Sequence, residues 1–433
     1  MTDSQQDRAL IGHLLRRTGF GASGAEIDAA SALGYQALVD DLFAVGPDPG
    51  VVATPPPTGL ADPLPGGKAT PAQTKAANAQ RTQAAYELIA WWIARMVAAH
   101  RPWVEMRTFF WHGHFATSVD KVSYPGLMLA QNQIFRTMGL GNFEALTTAV
   151  AEDPAMLVWL DTRSDYKAHP NENFARELME LFTLGMGNYT EDDVREAARA
   201  FTGWTFDPNI FAFKVNASQH DNGIKTVRGQ TGNLSGTDVI HQVTNDPISA
   251  RFVAAKVWSH VAYPVGPADP VIDDLVPAYG SDLDVLALMK AVLLHPAFRS
   301  SRAKSGLVKT PIEYVAGVMR ALNLAAEYPP VAPSLSSLGQ VPFRPPSVAG
   351  WPQNGYWLST AASRARLSFA RSAAAKADIT PVIDAPPSQR SLAAARMLSI
   401  DLSPATTAAL QAVARSPVDV MTLALVCPEY VAN

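Results

Sequence analysis

Residues 170 to 203, PNENFARELMELFTLGMGNYTEDDVREAARAFTG, constrain the fold more than any other stretch, because their spacing and end signals admit little except two consecutive helices. Stepping roughly 100° per residue from Glu172 places Asn173, Arg176, Glu177, Glu180 and Thr183 within one arc of roughly 140°. Phe174, Leu178, Met179, Leu181 and Phe182 fill the remainder. Pro170 suits the opening turn, where a missing N–H costs nothing, and Gly185 suits the left-handed position that closes a helix. Thr190 with Asp193 reads as a capping box for the next helix, whose Val194, Ala197, Phe201 and Trp204 form an apolar stripe. The expected unit is a helical hairpin with one polar face.

That face has two readings. Glu172, Arg176 and Glu180 lie four residues apart, so they can neutralise one another on a solvated surface at a few tenths of a kcal/mol per pair. Glu177 beside Glu180 is harder to place there, since two carboxylates one turn apart repel unless they share a proton, a metal or a cation. On the second reading the pair works in a cleft.

Together with YTEDDVREAARAFTGW, the run NENFARELMELFTLG resembles the central signature of a bacterial family known as domain of unknown function 1800. HLLRRTGFG at 13–21, FFWHGHFA at 109–116, HDNGIKTVRG at 220–229 and GWPQNGYW at 350–357 are similar to that family's other motifs. The resemblance spans nearly the whole chain and implies a mostly helical domain; it supplies no agreed reaction or cofactor. It also implies a partner from a second uncharacterised family, domain of unknown function 1501, whose twin-arginine signals would allow export with that partner.

Composition sets the outer limits. With 433 residues, 48% hydrophobic and 17% charged, the chain can bury a substantial core. A formal charge of −4 with no arginine-rich helix makes nucleic acid an unexpected partner. The one cysteine, Cys427, excludes an internal disulfide. The first residues lack the basic start and apolar run of a secretory signal, so the default expectation is cytoplasmic. The most apolar stretch, IAWWIARMVAA, is broken by Arg95, so no membrane span is expected.

Helical periodicity recurs over 8–17, 24–43, 74–99, 102–118, 125–137, 142–151, 247–263, 282–296, 311–324, 358–376, 389–399, 405–414 and 417–425. The fold class is therefore mainly α, a single large helical domain over 1–433 with a small β-hairpin insertion near 211–228, turned at Asn222-Gly223. Residues 46–72, crowded with proline and glycine, are expected to form a mobile excursion.

His112 and His114 form a His-x-His pair, but on a helix they diverge by roughly 160°, so at most one enters a common site; His114 is the candidate. His220, Asp221 and Lys225 flank a tight turn that either brings an acid, a base and a cation to a substrate or is simply capped by Asp221. Trp351 and Trp357 sit in a Pro/Gly-rich loop and are the candidate flat platforms for a sugar ring.

Three functions follow. The first is a hydrolase acting on a carbohydrate or related polymer, with Glu177 and Glu180 as acid and base, oriented by Arg176, Asn173 and His114. The second is a metal-dependent enzyme holding a divalent ion on His114, Glu177 and Glu180, with His220 or Asp221 as further ligands. The third is a noncatalytic binding or assembly subunit.

Overall fold

The computed structural model describes residues 3–60, 70–325 and 331–432. Helices make up most of it, and one contiguous apolar cluster runs through them from Ile11 to Val431. Trp92, Trp103, Trp111 and Trp258 are among its largest fully buried side chains, which places most helical tryptophans in the core.

The expected hairpin is two small antiparallel sheets. Trp204–Phe206 pairs with Phe213–Val215, and Lys225–Val227 pairs with Gln230–Gly232. The second turns at Arg228-Gly229, where φ is 46° and 82°, the positive values a two-residue hairpin loop requires. Asn222-Gly223 is instead an Asx turn, in which the Asp221 carboxylate accepts the Gly223 N–H at 2.8 Å.

The helix expected over 24–43 is divided into Gly24–Ser31 and Tyr35–Leu42, with Gly34 between them at φ 79°. Helices Gly236–Thr244 and Pro270–Tyr279 were not marked by periodicity. Of the 46–72 excursion, residues 61–69 lie outside the described residues. The part before them is tied down: buried Asp48 accepts N–H groups from Gly50, Val51, His100 and Arg101 and caps the short helix Pro49–Ala53. Thr70 and Gln73 then form the capping box of helix Pro71–Ala98.

A buried ion cluster fixes the aromatic helix Trp103–His114. Glu105, fully buried, accepts from Arg95 Nε at 2.8 Å, Arg136 Nη2 at 2.7 Å and Trp92 Nε1 at 2.9 Å. Burial alone would raise its pKa, but the two guanidiniums together hold it below the ordinary value. Three helices, Pro71–Ala98, Trp103–His114 and Pro125–Met138, are thereby clamped at one carboxylate.

Candidate functional site

The last turn of the aromatic helix carries both histidines of the His-x-His pair, and they point to different surroundings. His112 Nε2 accepts the Phe343 N–H at 3.2 Å. His114 Nε2 lies 2.9 Å from the Phe182 carbonyl, and since a carbonyl only accepts, that nitrogen carries the proton. Burial takes both pKa values down to about 3; for His114 the nearby Lys256 ammonium adds to it, opposed by the Phe182 carbonyl. Both rings are therefore neutral at pH 7. In that tautomer His114 Nδ1 is an acceptor, and among the described residues it has no hydrogen-bond partner.

Beside His114 opens a cleft of about 450 Å³. The aromatic helix contributes Phe109, Phe110, Gly113 and His114. Helix Pro247–Val261 faces them with Phe252, Lys256, Ser259 and His260, which its 3.6-residue period puts on one side. Phe110 stands 5.0 Å from the His260 ring and 6.1 Å from that of His114. Burial, with Arg17 behind it, takes the His260 pKa down to about 4.

The remaining wall comes from residues 340–353, pinned at three points. Gln340 Oε1 accepts the Ile312 N–H at 2.9 Å, Phe343 N–H reaches His112, and Gly350 packs backbone to backbone on Gly113. A Cβ at Gly350 would sit 2.4 Å from the Gly113 carbonyl oxygen, and φ there is 79°, so glycine is required twice over. This seating brings Trp351 over the cleft, 5.7 Å from Phe109.

Gln340 is only 1% exposed, yet it lines the cleft. Its oxygen is committed to Ile312, which fixes the amide, and its Nε2 donor has no partner among the described residues. Among the described lining residues Lys256 is the one charged side chain, and no carboxylate joins it. Its ammonium is 5.1 Å from the Phe252 ring, whose apolar surroundings lower its pKa. The residue as a whole is exposed, so solvent reaches the ammonium.

The carboxylate helix meets this cleft only through Leu181. Asn171, one residue after Pro170, is its N-cap; the α-helix runs Glu172–Glu177 and continues as a π-helical turn, Leu178–Thr183. The wider turn departs from the 100° step and ends with the N–H groups of Leu184 and Gly185 both on the Met179 carbonyl. That leaves the Phe182 carbonyl for His114, so the histidine's partner is a main-chain oxygen rather than Glu177 or Glu180.

On the outer face Arg176 is taken by Glu191 at 2.7 and 2.8 Å and by Glu172 at 2.9 Å. Glu180 accepts a short hydrogen bond from Tyr189, and Asn173 is exposed. Glu177 has no hydrogen-bond partner among the described residues; partial burial raises its pKa, Glu180 raises it further, and Arg176 opposes both. Glu177, Glu180, Arg176 and Asn173 are thus together, but outside the cleft lining that holds His114. Among the described residues no group of three or more His, Cys, Asp or Glu is arranged to hold a metal ion.

The His220 turn is a third, separate place. Arg199 binds Asp221 and Glu196 at 2.8 Å each, and His220 Nδ1 is 2.8 Å from the Thr202 carbonyl. Lys225, 1% exposed, donates to the Gly223 carbonyl at 3.0 Å. These contacts shape the turn, and none of its residues lines the cleft. Trp357 is likewise not a platform: it is 2% exposed, and its carbonyl is held by Arg366 at 2.6 Å. Of the candidates, the structure unites His114 and Trp351. It adds Lys256, Ser259, His260 and Gln340; the one sequence signal was Lys256 and His260 four residues apart on helix Pro247–Val261, and Gln340 had none.

The model of a family described as a protein of unknown function, DUF1800, matches residues 13–432. The chain belongs to this family. No curated protein and no solved structure matches it. Among the described residues no helix is long and apolar enough to cross a membrane.

Proposed function

We propose that this DUF1800 member is a ligand-binding protein whose site is the aromatic cleft beside His114. One observation carries the reading: among the described residues the cleft presents a donor, Gln340 Nε2, and an acceptor, His114 Nδ1, without partners, and two of its lining residues, His260 and Trp351, each keep a buried ring nitrogen unpaired. Buried polar groups are normally satisfied, because an unmade hydrogen bond costs about 1–3 kcal/mol. A pair left open in an aromatic cavity of ligand-accommodating size is what a binding site supplies. Gly113 provides the test. A Cβ there meets nothing within 4 Å, so Gly113→Leu fills the cleft without displacing backbone. Small aromatic compounds screened by thermal shift are expected to stabilise the wild type and not this variant; equal shifts in both proteins would remove the reading.

Hydrolysis of a carbohydrate or related polymer by Glu177 and Glu180 is a second reading. It is favoured by the raised pKa of Glu177, which suits a general acid, and by Glu180 being tied to Tyr189. Release of reducing ends from a polysaccharide panel, lost in Glu177→Gln, would support it; no release from any member would sink it.

A further inference from the structure

The cleft's charge and polarity define what it takes. Its walls are largely apolar, built from Phe109, Phe110, Phe252 and Trp351, so a ligand rich in hydroxyls would leave many of them unpaired. A flat apolar body loses nothing there and gains ring contacts. The polar complement is small and its charge is positive: an ammonium at Lys256, an amide donor at Gln340, an acceptor at His114, and the unpartnered ring nitrogens His260 Nε2 and Trp351 Nε1, while the Ser259 hydroxyl is taken up by Val265. With no carboxylate among the described lining residues, a cationic ligand would find no counter-charge there and would face Lys256. Behind the wall Arg17 adds positive potential at His260. The gap between Lys256 and the neutral imidazoles is therefore suited to a negative group, with His114 Nδ1 left to accept from a ligand O–H or N–H.

We propose that the ligand is a small organic anion, a carboxylate or phosphate on a flat apolar ring system, with its charge at Lys256 and Gln340 and its ring against Trp351 and Phe110. This rests on the cleft being a binding site, and the experiment separates the two claims. Three probes share one body and differ in charge: a hydroxynaphthoate, the matching hydroxymethyl-naphthol and the matching aminomethyl-naphthol. Calorimetry on the full chain is expected to rank them anion, neutral, cation, with the anion about fivefold to tenfold tighter than the neutral compound. Lys256→Gln, a change at an exposed side chain, is expected to bring the ratio of anion to neutral affinity close to one. Gly113→Leu is expected to weaken all three.

If the neutral probe binds wild type as tightly as the anion, or Lys256→Gln keeps the anion preference, the anionic ligand is overturned. The binding site survives that result as long as Gly113→Leu still weakens the probes. If no probe binds, or Gly113→Leu changes none of them, the site itself fails and this inference fails with it.

Discussion

The carboxylate helix and the aromatic cleft meet at Leu181 and at the hydrogen bond from His114 to the Phe182 carbonyl, yet they treat polarity in opposite ways. On the helix most charges find partners within the protein, Arg176 between Glu172 and Glu191 and Glu180 on Tyr189. In the cleft the charged residues are few and the open hydrogen-bonding positions belong to neutral groups, Gln340, His114, His260 and Trp351. A density of charged letters thus marks a self-satisfied surface, while the unspent capacity sits among aromatics. The two regions also respond to pH with opposite sign, which gives the sharpest means of telling them apart.

The largest expected effect is acid destabilisation from the histidine side. Burial takes the pKa values of His13, His112, His114 and His260 down to about 2, 3, 3 and 4, all below the ordinary imidazole value of 6.5. As pH falls below 6.5 the unfolded chain takes up protons that the folded protein refuses, so stability drops until the folded pKa values are reached. Each site contributes up to about 1.4 kcal/mol per pH unit, so the four histidines together are expected to remove roughly 5 kcal/mol or more between pH 6.5 and 5, against an opposing gain of roughly 3 kcal/mol from Asp153 and Asp165, whose pKa burial raises to about 7. Urea titrations across this range, on the wild type and on Asp153→Asn with Asp165→Asn, check it; a stability that does not fall on acidification in the doubly substituted protein would mean that the rings are not held neutral in the fold.

Next comes the clamp beneath the cleft. Glu105→Gln leaves Arg95 and Arg136 buried against a neutral amide, and a loss of about 3–5 kcal/mol is expected in equilibrium unfolding. Smaller, and aimed at the cleft itself, is Gly350→Ala. The added Cβ collides with the Gly113 carbonyl at a left-handed φ, so about 2 kcal/mol should be lost, with Trp351 fluorescence shifting as its loop lifts. Unchanged melting and emission would show that the loop is seated some other way.

The smallest effect has the opposite direction. Glu177 has a raised folded pKa, so the folded protein keeps a proton that the unfolded chain releases, and this carboxylate lowers stability as pH rises above its unfolded value. Glu177→Gln is expected to gain about 0.5 kcal/mol at pH 7, discounted for its partial exposure, and nothing near pH 4. A loss at pH 7 would reveal a cation at Glu177 and erase the contrast between the two surfaces.

Local chemistry made much of this legible in the sequence. Thr190 and Asp193 form their capping box, Gly185 takes φ 83°, and His112 and His114 diverge, because caps, turns and helical spacing depend on near neighbours. The π-helical turn was not legible, since its register is set by how Leu178–Thr183 packs on distant helices. Nor was the cleft, whose polar atoms come from His114, His260 and Gln340, far apart in the chain. Trp351 and Trp357 look alike in their loop, and only the one-turn helix Asn354–Leu358 folds the second inward.

The contact between Gly350 and Gly113 has a further consequence. Where two main chains meet without intervening side chains, the spacing is a gauge of fixed thickness. Neighbouring side chains can be exchanged for larger or smaller ones without changing the separation of loop and helix there. The aperture under Trp351 is therefore calibrated by peptide geometry, and selectivity can be retuned only through the side chains that project into it.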